Sequence, residues 1–390
     1  MIIMKKTLIV IQIFIFALGC SEKQQGVSLT SLYVEPMIFI DTLVNIEKIE
    51  FTGTVQLFGK GFFQIEGNSI LFLDRLGMKV LEFDNNGKFQ KTILENGEGP
   101  AEIPKFQSYT SDGEFRYFLD GYTLMVYDKN NELVSRSVLN FHHQSSLKEI
   151  EGNPNPDDAG IYEVKYWENQ LEVIDGYLYT KIESSNPKFN FVMNSEYYRN
   201  SYLYAKVDPK SGKVLSLFGK HPPVYQRYNQ LPHFDYYYHD RHEDQIYISF
   251  EPDSLIYVLD QDFEAKESFG NSGKGMDQSY REVSTVEDWE DYWRINRAQK
   301  GFYKHIKFFS EEDLLFRTYT LGNPDILAYE YGDNPQRMQI YKGKQLVGDV
   351  SVPNFFKIIG KIGDFYYADG SAENPDNEEL ILYRFKLDVL

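Results

Sequence analysis

The most regular feature of the chain is a repeated alternation of short apolar runs and polar turns. Ser69–Leu94 carries one complete copy: ILFLD, a short turn, KVLEFD, the turn NNGK, and FQKTIL. The runs are rich in Ile, Leu, Val and Phe, and Asn85-Asn86-Gly87 supplies residues that tolerate positive φ. Together they predict strands joined by tight hairpins. The unit recurs at Phe115–Leu139, Ser201–Gly219, Gln245–Gly270, Asp313–Val352 and Asp364–Asp388. The third member of each copy ends at Asp84, Asp128, Asp208, Asp260, Tyr341 and Asp388. Three of the five intervals between these ends are 44–52 residues, the period of a four-stranded propeller blade, and two are about 80. Each long interval holds one blade with an insertion or two blades, one of them degenerate. The simpler count gives an all-β propeller of six blades.

The last copy stops before an outer strand, whereas Val44–Phe58 has strand character ahead of the first copy. That arrangement predicts a ring closed by a blade shared between the two ends of the chain, which removes exposed sheet edges. A pair of β-sandwiches would explain the strands but not the recurring Asp-terminated hairpin. Composition agrees with a β protein: aromatic residues make up 16% of the chain, with 30 Tyr and 29 Phe against 3 Trp. Flat rings suit a pleated, half-buried surface.

At the N-terminus, Lys5-Lys6 precede the apolar run Thr7–Gly19, the layout of a secretory signal peptide at residues 1–19. The run is too short for a bilayer span, which takes roughly 20 residues in a helix. Ala17-Leu18-Gly19-Cys20 resembles the lipobox of bacterial lipoproteins, although Ala17 and Leu18 depart from its usual order. The resemblance implies cleavage before Cys20, the chain's single cysteine, and acylation there. Several acyl chains would meet the two-signal requirement for stable membrane anchoring. Residues 20–35 then form a tether, and 36–390 a single propeller with insertions near 141–170 and 271–301. With one Cys there is no internal disulfide framework.

The segment Asn96-Gly97-Glu98-Gly99-Pro100-Ala101-Glu102, following LEFDNNGKFQKTI, resembles the inter-blade motif of NHL-type six-bladed propeller lipoproteins of Bacteroidetes. The fit is to an uncharacterised family among them, a domain of unknown function, over roughly residues 69–135. It implies a fold and a cell-envelope location, expected at the outer membrane and facing the periplasm or the surface, and carries no reaction with it.

The formal net charge of −18 disfavours nucleic acid, whose phosphates demand Lys and Arg, and also disfavours docking to anionic lipid. The face that holds second-to-third-strand turns and inter-blade turns would carry Asp74, Arg75, Glu98, Glu102, Lys105, Asp120 and the Pro252-Asp253 loop. Glu98 and Glu102 are candidate ligand contacts, set against solvated loop tips and a purely structural Gly-rich turn. In the second insertion Ser284-Thr285-Val286-Glu287 matches a capping box, and Val286, Trp289, Tyr292 and Trp293 fall on one helical face. Trp289, Tyr292 and Trp293 are candidate contacts for a sugar or peptide, or an apolar face docked on the rim. His233, His239 and His242, with Asp235, Asp240 and Glu243, have zinc-ligand chemistry, but the segment reads as a polar, solvated turn bending at Arg241. Asp369–Glu379 is rich in oxygen ligands without EF-hand spacing for calcium. No metal ligand set, cofactor or catalytic residue is assigned, since G-x-S-x-G and H-E-x-x-H are both missing. The sequence thus points to an envelope lipoprotein that binds a peptide, glycan or protein partner. The alternatives are a metal-dependent hydrolase or lyase with its site at the channel mouth, and a structural subunit of an envelope complex.

Overall fold

A computed structural model describes residues 30–32, 44–53, 60–192, 195–228, 230–231, 234–285, 287–325, 334–371 and 380–387. The signal peptide, Cys20, His233, Val286 and most of the acidic 369–379 loop lie outside them. Six antiparallel sheets form the blades of a propeller. Blade I comprises Gly61–Glu66, Ser69–Asp74, Lys79–Phe83 and Phe89–Asn96, and blade II Ser108–Ser111, Phe115–Asp120, Thr123–Asp128 and Leu133–Val138. Blade III is built on Leu171–Ile174, Tyr177–Glu183, Tyr202–Val207 and Val214–Lys220, with Glu163–Val164 beside its second strand. Blade IV contains Tyr237–His242, Gln245–Phe250, Ile256–Leu259 and Ala265–Phe269, and blade V Phe302–Phe309, Leu314–Thr320, Gln336–Lys342 and Gln345–Val352.

Blade VI closes the ring. Lys357–Ile362, Phe365–Asp369 and Leu382–Leu387 are its first three strands, and Val44–Ile49 pairs antiparallel with the last of them as the outer strand. The expected sharing of one blade between the chain's ends is therefore met. Both long intervals hold one blade plus an insertion, and the count is six.

The recurring Asp has a local cause. Asp84 Oδ1 accepts from the backbone N–H groups of Asn86 and Lys88. Asp128 accepts from Asn130 and Glu132, and Asp260 from Asp262 and Glu264, in the same pattern. One carboxylate thus satisfies two donors that the hairpin leaves unpaired, the usual reason for Asp at the start of a turn. Between blades the sheets pack through apolar faces: Phe63, Phe72, Leu81 and Phe83 of blade I meet Ile359, Ile362 and Tyr367 of blade VI.

First strands of neighbouring blades lie side by side around the axis. The turns after second strands sit beside the starts of first strands: Arg75 N donates to Lys60 O, Glu251 N to Tyr236 O, and Tyr303 N to Glu251 O. This face holds the upper mouth of the central channel.

The two insertions differ from expectation in their helix starts. Within 141–170 a helix, Leu147–Gly152, carries a complete capping box between Ser146 and Glu149. In the second insertion the helix runs Trp289–Gln299 with Asp288 at its start and no side-chain cap, so the proposed Ser284–Glu287 box does not form. Thr285 Oγ1 instead accepts from Asp288 N, within the turn that precedes the helix.

Candidate functional site

The histidine-rich segment is not a solvated turn. Tyr237–His242 is the innermost strand of blade IV, and the chain reverses only after His242. His239 and Asp240 are buried there. The misreading has a physical origin: a strand facing a polar channel needs no apolar alternation.

The possible ligands in this strand turn to separate partners. His239 Nδ1 meets Tyr204 OH at 2.9 Å, and its Nε2 lies 3.4 Å from Glu172. Asp240 accepts from Lys307 Nζ at 2.7 Å and from Phe308 N. Asp235 pairs with buried Lys165, which also holds Glu183 at 2.8 Å. Among the described residues no three His, Cys, Asp or Glu converge as metal ligands.

The sequence-predicted contacts on the upper face are distributed rather than gathered. Glu102 Oε2 accepts from Gly99 N at 2.7 Å, and Glu102–Ile103 adds a short parallel strand to blade I. This gives the Gly-rich segment a structural use. Glu98 is exposed, 3.9 Å from Arg136, and Lys105 stands 3.5 Å from Asp120. Asp74 is buried and accepts from Gly77 N, while Asp253 is buried and accepts from Tyr257 OH at 2.7 Å.

The rim helix is fixed through its last turn. Arg297 forms a bidentate pair with Glu251, at 2.7 and 2.8 Å, and its guanidinium lies over Phe234, Tyr236 and Phe302. Burial pushes the Glu251 carboxyl up to about 7, with Arg297 acting in the opposite sense. Asn296 adds a two-way bond to the backbone of Arg281. The fully buried positions are thus Asn296, Arg297 and Ala298, while Trp289, Tyr292 and Trp293 are half-buried. The two Trp rings stack 6.2 Å apart.

Beside this anchor Lys181 and His305 both pack on the Tyr238 ring, and the charges of Lys304 and Lys357 act on His305. Lys181 lies in the second strand of blade III, Lys304 and His305 in the first strand of blade V, and Lys357 at the start of the first strand of blade VI. Lys181 is only 1% exposed. Its ammonium donates to Glu168 O at 2.7 Å and to Tyr237 O, and lies over the Tyr237 and Tyr238 rings. His305 packs edge-on against Tyr238, with ring centroids 4.5 Å apart. Burial, then the charges of Lys357, Lys304 and Lys181, drive His305 well below the usual imidazole range. Burial likewise lowers Lys181, helped by Lys165 and Lys357 and opposed by Glu168 and Glu251. None of these residues stood out in the sequence.

A cavity of about 400 Å³ lies elsewhere, between the outer strand of blade III and the first insertion, lined by His142, Asp157, Tyr202 and Lys213 among others. Its chief polar groups satisfy each other, Tyr202 OH donating to Asp157 at 2.9 Å. The channel mouth is therefore the better candidate on chemical grounds.

Fold and mouth together define the class: a six-bladed β-propeller closed through its last blade, with a polar channel. Two solved structures are similar to it. One is a member of the DUF4221 family from Bacteroides vulgatus ATCC 8482, with TM-score 0.66 and 15% identity over 90% of this chain and 100% of that one. The other is a protein from Bacteroides fragilis NCTC 9343 whose name marks it as a candidate exported protein, with TM-score 0.51 and 13% identity over 92% and 99%. The likeness is one of fold, and it meets the expectation carried by the Asn96–Glu102 motif. No family model and no curated protein matches the chain.

Proposed function

We propose that this chain is a cell-envelope lipoprotein, anchored to the outer membrane through Cys20, whose propeller binds a peptide, glycan or protein group at the channel mouth. The observation that carries the reading is the polar channel mouth, where Lys181 and His305 both pack on the Tyr238 ring beside a rim helix locked by Glu251 and Arg297. Fold by itself assigns no function, so the weight falls on this site. The metal-dependent hydrolase or lyase is the weaker reading. The carboxylates and imidazole nearest the axis, Asp235, His239, Asp240 and Glu251, are each engaged by a different cation or tyrosine. Among the described residues no helix is long and apolar enough to cross a membrane.

The test is differential retention. Wild-type chain and a Lys357→Trp variant that narrows the mouth are incubated with envelope-derived glycans and short peptides, washed, and analysed by mass spectrometry. Circular dichroism and Tm establish that the variant is folded. The reading expects compounds retained by wild type and lost from the variant. Identical retention profiles would overturn it.

A further inference from the structure

Resting on that binding reading, we propose that Tyr166 and Trp167 form a stacking platform for an uncharged sugar ring of the ligand at the channel mouth. The innermost strand of blade III is broken. Val164 pairs with Ile182 and Lys165 N donates to Lys181 O, whereas Leu171 already stands opposite Thr180. Thr180 and Lys181 are consecutive, so residues 166–170 are looped out of the ladder between them. The loop springs from the upper mouth. Lys165 Nζ lies 5.0 Å from the centroid of the Tyr236 ring, and Arg297 Cζ of the rim helix lies 5.1 Å from the same centroid.

The looped-out segment is anchored at almost every residue. Lys165 is buried in ion pairs with Asp235 and Glu183. Glu168 takes a left-handed φ of 54°, and its carbonyl accepts from Lys181 Nζ at 2.7 Å. Asn169 Oδ1 accepts from Lys181 N at 3.2 Å, replacing the carbonyl that the broken ladder withdraws, and its amide donates to Thr180 Oγ1. Gln170 ties the loop to blade IV, donating to His239 O at 3.1 Å and accepting from His239 N at 3.2 Å. The two large side chains of this anchored loop nevertheless face water: Tyr166 is 56% exposed and Trp167 57%, their rings edge-to-face with centroids 5.0 Å apart. Backbone strain and exposed apolar area both cost stability, and strain of this kind gathers at ligand clamps. Rings held rigidly in the open have already met the ordering cost of a contact.

Charge and shape decide the class of ligand. The charges beside the loop are matched internally: Lys165 with Asp235 and Glu183, Arg297 with Glu251, and Lys181 with the Glu168 carboxylate, which favours its charged form. A charged group therefore gains no new counter-charge there, and an anion is also repelled by the chain's net charge of −18. An uncharged sugar uses what the loop offers. Its C–H face meets the electron-rich ring faces, and its hydroxyls meet Asn169 and Gln170, whose amide nitrogens each carry two donors and use one here. Rings more than half exposed suit the flat face of a pyranose, whereas an aliphatic peptide side chain needs a concave apolar pocket.

The experiment is calorimetric and Trp-fluorescence titration of the full-length chain, in a detergent without a sugar headgroup, with cellohexaose, maltohexaose and mannohexaose. Hexalysine and a neutral hexapeptide are titrated alongside. Binding of at least one saccharide is expected, with a loss of affinity of about tenfold or more in Trp167→Ala, the scale of a central aromatic contact. Trp167→Phe, which keeps a ring, is expected to lose less. Trp167 is exposed, so an unchanged Tm and circular dichroism spectrum are expected of both variants, and Tyr166→Ala repeats the test at the neighbouring ring. Absence of binding by all three saccharides, or equal binding by wild type and Trp167→Ala, would overturn the sugar inference. Binding of a peptide alone, lost in Trp167→Ala, overturns the sugar class and leaves the binding reading standing, whereas a blank retention experiment removes both.

Discussion

Asp369 is the point at which ring closure can be probed with a single atom. Its carboxylate, at the end of the second strand of blade VI, is 5% exposed and accepts from Phe63 N in the first strand of blade I. That bond joins residues 306 positions apart across the closing seam. The other oxygen accepts from Ser371 N. Asp369→Ala leaves both donors unpaired, at about 1–3 kcal/mol for each one that stays buried. The expected loss is therefore about 2–6 kcal/mol. Asp369→Asn keeps an acceptor for one donor and turns an amide N–H₂ towards the other, so about half that loss is expected.

The pH dependence separates this latch from a generic packing defect. Burial pushes the Asp369 carboxyl from 3.8 up to about 6, against the pull of its hydrogen bonds and of Lys357. Between these two values the folded chain holds a proton that the unfolded chain has released. Unfolding then releases a proton, and stability contributed by this group falls as pH rises through that window. At 1.36 kcal/mol per pKa unit the full change is about 3 kcal/mol. Asn cannot titrate. The stability gap between wild type and Asp369→Asn, measured by urea unfolding, is thus expected to be widest near pH 4 and to shrink by pH 7. A gap that stays constant or widens with pH would refute the reasoning.

Two further outcomes follow from the same structure. Arg297→Met strands the buried Glu251 carboxylate without its cation, and removing one partner of a buried pair costs about 3–5 kcal/mol. The measurable results are a lower Tm and faster proteolysis within residues 271–301, both partly reversed when Glu251→Leu is added. Cys20→Ser is expected to abolish incorporation of a clickable fatty acid and to release the chain from the membrane fraction; continued labelling would rule out Cys20 as the acylation site.

How much of this was legible depended on where each strand sits in its blade. Second, third and fourth strands announce themselves, because runs such as ILFLD and KVLEFD are packed between neighbouring blades and end in an Asp that satisfies the next turn. First strands are harder. Ser108–Ser111 (SYTS) and Tyr237–His242 (YYHDRH) face a polar channel and resemble loop sequence. Capping boxes were ambiguous for a different reason. The pattern at Ser146–Glu149 forms the box and the one at Ser284–Glu287 does not, since a four-residue pattern leaves open whether the chain turns helical after it. The site was least visible of all. Lys181 and His305 are single basic residues in separate strands, brought onto the Tyr238 ring by the fold and by no local motif. The one available signal was a Lys inside the otherwise apolar run YLYTKI, a position where an ammonium must find buried acceptors.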